Sequence, residues 1–291
     1  MSPRSTAPVE RWVKAGDIKL FVTDEGEGEP VVLGHGMWCT GRMFAGLARA
    51  LSPYYRLITV DLRAHGRSGV PAGNWTVADV GEDYRRVLDA LGIERAVVAG
   101  YSMGGMGALH FALAHPDRLR GLVLICTTAA AEAPVRRVQI TALAGLVTAV
   151  GAPDLVTADA AERTFGRTFQ RAYPEVVDQW RGEISAMSRK ALVQALRAVS
   201  FRPSLTQHLP EIHTPALILA GGRDRIAPAR DSMSMAKRLP HARLQVVRGA
   251  SHGLPIERAR NVAALVRRFI RDLVAQRGTK SQFMKGRRIS S

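Results

Sequence analysis

Ala96-Val97-Val98-Ala99-Gly100-Tyr101-Ser102-Met103-Gly104-Gly105-Met106-Gly107 is the stretch that decides the fold. An apolar run of strand character meets a run of small residues suited to a helix, and the junction between them is Gly100-x-Ser102-x-Gly104. A sharp strand-to-helix turn of this kind lifts one hydroxyl clear of a sheet in a strained backbone conformation. Gly100, Gly104 and Gly105 leave it the room it needs. The pentapeptide alone is weak: with 27 glycines in 291 residues, chance supplies one in roughly a tenth of such chains. Its surroundings carry the rest.

Upstream, Val31-Val32-Leu33 runs into Gly34-His35-Gly36-Met37-Trp38, and Leu57-Ile58-Thr59-Val60 runs into Asp61-Leu62-Arg63-Ala64-His65-Gly66-Arg67-Ser68. Each short apolar run ends in a glycine-bearing loop. Before them, Trp12–Lys14 and Ile18–Val22 flank Gly16-Asp17 as a hairpin. Between the second run and the elbow, Val77, Val80, Tyr84, Val87, Leu88 and Leu91 recur at helical spacing, with Thr76 and Asp79 as a capping box and Gly92 as the stop. Downstream, Leu122–Cys126, Ala216–Ala220 and Leu244–Val247 read as further buried strands, and Ile256 to Ala275 as a closing helix. Nearly all-apolar strands alternating with helices predict an α/β fold with a mainly parallel sheet covered on both faces.

The alternation stops between about Ala133 and His208, where the chain reads as helix throughout. We therefore expect a core of residues 1–132 and 209–276, a helical cap of residues 133–208, and a basic, disordered tail of residues 277–291. A separate helical domain is the competing account of 133–208.

Length and composition bound the function. The formal net charge is +16 and the sequence pI is about 11.0, which raises nucleic acid or an anionic membrane as a partner. The basic residues are scattered, however, and no nucleic-acid-reading module accompanies them, so nucleic acid is not expected. The tail with Arg277, Lys280, Lys285, Arg287 and Arg288 leaves at most a peripheral membrane attraction. Cys39 and Cys126 make neither a metal spacing nor a disulfide framework, which points to a reducing, cytoplasmic setting. No secretory h-region or spanning run is expected.

A serine hydroxyl is a poor nucleophile near pH 7. Acyl transfer needs a base within hydrogen-bond reach and a carboxylate to orient that base. Ser102, Asp224 and His252 each lie just past a different apolar run, where parallel strands bring catalytic groups together. Asp61 and Glu132 are the rival acids. His35 and His65 also lie in loops at strand ends, and His110, His115, His208, His213 and His241 are expected in helices, the cap or the surface.

Gly34-His35-Gly36, Asp61–Ser68, Gly100–Gly105, Gly222-Arg223-Asp224 and Ser251-His252-Gly253 occur in one order, and together they resemble the α/β-hydrolase superfamily from Trp12 to Ala275. The resemblance implies Ser102 as nucleophile, His252 as general base and then acid, and Asp224 as the carboxylate behind it. It implies backbone N–H groups of Met37 and Met103 as the oxyanion hole, His35 and Trp38 as pocket residues, and neither cofactor nor metal. A serine at the elbow argues against haloalkane dehalogenase or epoxide hydrolase chemistry, whose enzymes carry Asp there. The expected function is hydrolysis of a small or medium apolar ester, thioester or lactone through an acyl-enzyme. The alternatives are carbon–carbon bond hydrolysis of a ring-cleavage product, a cofactor-free perhydrolase, and a small-molecule receptor on the same scaffold.

Overall fold

The computed structural model describes residues 8–286, with side chains described up to residue 275. Eight strands form one sheet in the order β1-β2-β4-β3-β5-β6-β7-β8. The hairpin of β1 (Val9–Ala15) and β2 (Ile18–Glu25) turns at Gly16, whose φ of 69° lies in the left-handed region. β2 pairs antiparallel with β4 (Arg56–Val60). From there β3 (Pro30–Gly34), β5 (Ala96–Tyr101), β6 (Leu119–Ile125), β7 (Ala216–Gly221) and β8 (Ala242–Val247) continue in parallel. β5 and β7 are buried at every position, which is why they read as continuous apolar runs and not as alternating ones.

Helices cover the sheet. α1 (Ala45–Leu51) packs on α10 (Leu254–Glu257) and α11 (Ala259–Gly286), α2 (Val77–Ala90) packs on α3 (Met103–Ala114), and α9 (Ala229–Arg238) lies against β7 and β8. The capping box at the start of α2 forms as the sequence predicts, with Thr76 N–H donating to Asp79 Oδ2 at 2.8 Å. The fold is thus the α/β architecture expected from the strand pattern, a mainly parallel sheet with helices packed on it.

Between β6 and β7 the chain forms α4 (Pro134–Val150), α5 (Asp154–Thr164), α6 (Arg167–Ala172), α7 (Pro174–Ser185) and α8 (Arg189–Ser200). These helices bond to loops at the carboxyl ends of the strands. Trp38 Nε1 donates to Leu192 O at 3.3 Å, Trp180 Nε1 to Cys39 Sγ at 3.4 Å, and Thr40 Oγ1 to Glu183 Oε2 at 2.9 Å.

One expected boundary moves. α11 continues through Gly286, where the sequence reading places a disordered tail from residue 277. No proline interrupts the chain after Pro255, and Gly278 is a single helix-weakening residue in a stretch otherwise able to propagate a helix. Residues 287–291, the end of that tail, lie outside the described residues, as do residues 1–7. Among the described residues no helix is long and apolar enough to cross a membrane.

Candidate active site

Ser102 occupies the corner between β5 and α3 with φ 49° and ψ −115°, a conformation a β-carbon disfavours. The strain is held from several sides. Ser102 N–H donates to Ile125 O at 2.9 Å, and Thr127 Oγ1 donates to Ser102 O at 2.7 Å. Gly104 N–H donates to His35 O at 2.9 Å, and Tyr84 OH to Gly104 O at 2.9 Å. The glycines are steric necessities: a β-carbon on Gly100 would sit against the Gly104 carbonyl, and one on Gly105 would come within 2.7 Å of Thr127 Cγ2.

Asp224 and His252 follow β7 and β8, and Arg223 N–H ties their loops together by donating to Ala250 O at 2.8 Å. Asp224 Oδ1 accepts from the N–H groups of Ile226 and Ala227 at 2.8 and 2.9 Å. Its Oδ2 lies 2.8 Å from His252 Nδ1, and His252 Nε2 lies 3.2 Å from Ser102 Oγ. With both Asp224 oxygens accepting, the consistent tautomer carries the proton on Nδ1 and turns the Nε2 lone pair toward the serine hydroxyl. Asp224 and His252 are buried, and Ser102 is half-buried.

The rival acids are engaged elsewhere. Asp61 accepts from Gly41 N–H at 2.6 Å and Arg67 N–H at 2.9 Å, and Ser68 Oγ donates to Asp61 O, so the 61–68 block is a turn held by its own bonds. Glu132 receives Arg202 at 3.0 Å.

Among the described residues, no hydrogen bond uses the N–H of Met37 or of Met103. Met103 opens α3, where helix N–H groups lack intrahelical acceptors. The residue is fully buried at the serine corner.

The pocket assignment of His35 needs correction. His35 is wholly buried. Its Nε2 accepts Leu62 N–H at 2.9 Å, which leaves Nδ1 to donate to Gly36 O at 2.7 Å. Burial lowers its pKa to about 4, and that of neighbouring His65 to about 3. His35 therefore pins the Gly36-Met37 loop as a neutral ring and lines no open space. Trp38 is buried too, in a left-handed conformation (φ 60°), with its indole bonded to α8.

Cys126 follows β6 at φ 46°, fully buried. Its sulfur and the nearest donor atoms of Asp224 and His252 lie within 4.8 Å of one another. Burial raises the thiol well above its usual value, and Asp224 and His252 are already bonded to each other. The trio reads as a protonated thiol packed on the carboxylate, and not as a metal site. Sequence reasoning weighed Cys126 only as a possible metal or disulfide thiol and passed over Thr127 and Glu257. Cys126 and Thr127 follow the end of β6, which hints at a role, whereas Glu257 ends the short helix Leu254–Glu257 and sits in no recognisable motif.

The sequence pattern of the α/β-hydrolase fold family matches residues 29–259. A RutD protein of Caulobacter sp. (strain K31) is 30% identical over 248 residues, covering 83% of this chain and 90% of its own. The 2-hydroxymuconate semialdehyde hydrolase of Pseudomonas putida is 29% identical over 283 residues, covering 92% and 96%. Among solved structures, a thermophilic esterase from Thermogutta terrifontis superposes with a TM-score of 0.85 at 30% identity, covering 92% of this chain and 99% of that one. The chain belongs to the α/β-hydrolase family, and it is an enzyme of the hydrolase class.

Proposed function

We propose that the chain is a serine hydrolase that cleaves a small or medium apolar ester, thioester or lactone through an acyl-enzyme. The observation that carries this reading is the continuous run from Ser102 Oγ through His252 to Asp224, at 3.2 and 2.8 Å. In it, His252 Nε2 takes the Ser102 proton as the oxygen attacks the substrate carbonyl. Asp224 holds the imidazole and stabilises its charged form, and His252 returns the proton to the leaving group. The Met37 and Met103 N–H groups receive the developing oxyanion; one such donor is worth about 3 kcal/mol to the transition state. Water then repeats the sequence to release the acid. The likeness to a solved esterase over 92% of the chain supports the ester reading.

The runner-up is carbon–carbon bond hydrolysis, favoured by the coverage shared with the Pseudomonas putida semialdehyde hydrolase. A fluorophosphonate probe followed by peptide mapping tests the shared mechanism: an adduct on Ser102, absent from Ser102→Ala, is expected, and a folded but unlabelled protein overturns it. p-Nitrophenyl esters of several chain lengths beside a dienone panel separate the two chemistries, the ester reading expecting the higher kcat/KM on esters.

A further inference from the structure

His252 is bracketed by the helical insertion. Ser251, just before it, donates its N–H to Glu257 Oε2 at 2.9 Å, while Glu257 Oε1 accepts the N–H of Gly166 at 2.6 Å. Gly253, just after it, donates its N–H to Thr164 O at 2.7 Å. Thr164, Phe165 and Gly166 join α5 to α6, so both neighbours of the histidine are fastened to one short piece of the insertion. Phe165 lies in sequence between Thr164 and Gly166, which carry the two bonds. It is buried, stacks on Phe169 at 5.5 Å, meets Trp180 edge-on at 5.3 Å, and lies where a β-carbon on Gly253 would be 2.7 Å from its ring.

Only a carboxylate suits the position of Glu257. Two backbone N–H groups converge on it from segments far apart in the chain, and each takes its own oxygen; an amide at the same place offers one acceptor and turns a donor toward the other N–H. Charge-assisted bonds of this kind are short and directional, which is what fixing a loop requires.

We propose that Glu257 is a positioning residue for the reaction. Its carboxylate locks the backbone in front of His252 to the Thr164–Gly166 segment, and so sets the distance from Nε2 to the Ser102 hydroxyl. This rests on the reading of His252 as the proton carrier. Because displacement of a catalytic group by about 1 Å costs on the order of a hundredfold, loosening this clasp lowers turnover and leaves substrate affinity little changed. The insertion thereby sets the base in place.

The test uses the full chain with Glu257→Ala and Glu257→Gln. Hydrolysis of p-nitrophenyl butyrate is measured per active site, the sites being counted by fluorophosphonate labelling carried to completion. The expected result is a kcat per labelled site lowered about ten- to a hundredfold in Glu257→Ala, an intermediate value in Glu257→Gln, and KM nearly that of the wild type. Fewer labelled sites with wild-type kcat at each would mean a role in folding alone and overturns the proposal. If Glu257→Ala does not fold, Glu257→Gln, which keeps the side chain's size and removes one acceptor, serves alone. It is expected to show its intermediate, kcat-specific loss, and wild-type kcat per site in it overturns the proposal. A wild-type chain that neither labels at Ser102 nor hydrolyses the ester overturns the proton-carrier reading and this one with it, an outcome distinct from a wild type that works while its Glu257 variants match it.

Discussion

Acidification should act on this protein through two histidines that take no part in proton transfer. His35 and His65 are buried 5.1 Å apart, and burial lowers their pKa values to about 4 and about 3 from an ordinary 6.5. The unfolded chain therefore binds more protons than the folded one below pH 6.5. Stability is fully present above that pH and is lost as pH falls from 6.5 toward 4 for His35 and toward 3 for His65. Linkage gives a loss of roughly 2 kcal/mol for each ring by pH 5, and about 4 kcal/mol for the pair. That is a large part of the 5–15 kcal/mol typical of a folded domain. Urea unfolding at pH 7.5 and pH 5.0 measures it directly, and His65→Gln should lose about half as much between the two pH values as the wild type. Equal stability of the wild type at both pH values, or a full wild-type loss in His65→Gln, would refute the reasoning. Because the His35 ring holds Gly36 O and its own carbonyl holds Gly104 N–H, activity should fall over the same window.

Gly100→Ala sets a β-carbon 2.5 Å from Gly105 Cα and against the Gly104 carbonyl, both backbone, so the elbow must shift; thermal melts should show a loss of about 1–3 kcal/mol, and ester assays a kcat lowered about tenfold or more. Asp224→Asn should lower kcat by about four orders of magnitude, while Glu132→Gln should keep wild-type turnover in the same assay; the opposite pattern would make Glu132 the acid. Asp83→Asn weakens a buried fork in which Arg63 donates to both carboxylate oxygens at 2.7 Å; chemical denaturation should register a loss of up to about 3–5 kcal/mol.

The core strands and the convergence of Ser102, Asp224 and His252 were legible because burial on both faces writes continuous apolar runs, and because each of the three side chains follows one of them. The role of His35 was not. A histidine in a loop beside the elbow looks alike whether it faces substrate or pins backbone, and only the bonds to Leu62 and Gly36 decide. Glu257 was invisible for a related reason: its partner Gly166 stands in the insertion, and no local pattern marks a side chain that recognises two backbone N–H groups. The sequence reading ended the last helix at Ala275, and it runs on through Gly286; charge alone does not prevent a helix.

The sheet order also governs how the chain is made. β6 is the edge of everything synthesised before the insertion, and its partner β7 begins about 90 residues later. At about 5–20 residues per second, Leu119–Ile125 waits on the order of 5–20 s with one row of its N–H and C=O groups unpaired and its apolar side chains uncovered. Such an edge invites pairing with another nascent chain. Over the same interval the chain carries Ser102 but neither Asp224 nor His252, so a nascent or truncated chain that has not reached β8 is exposed to aggregation and, on the proposed mechanism, is silent.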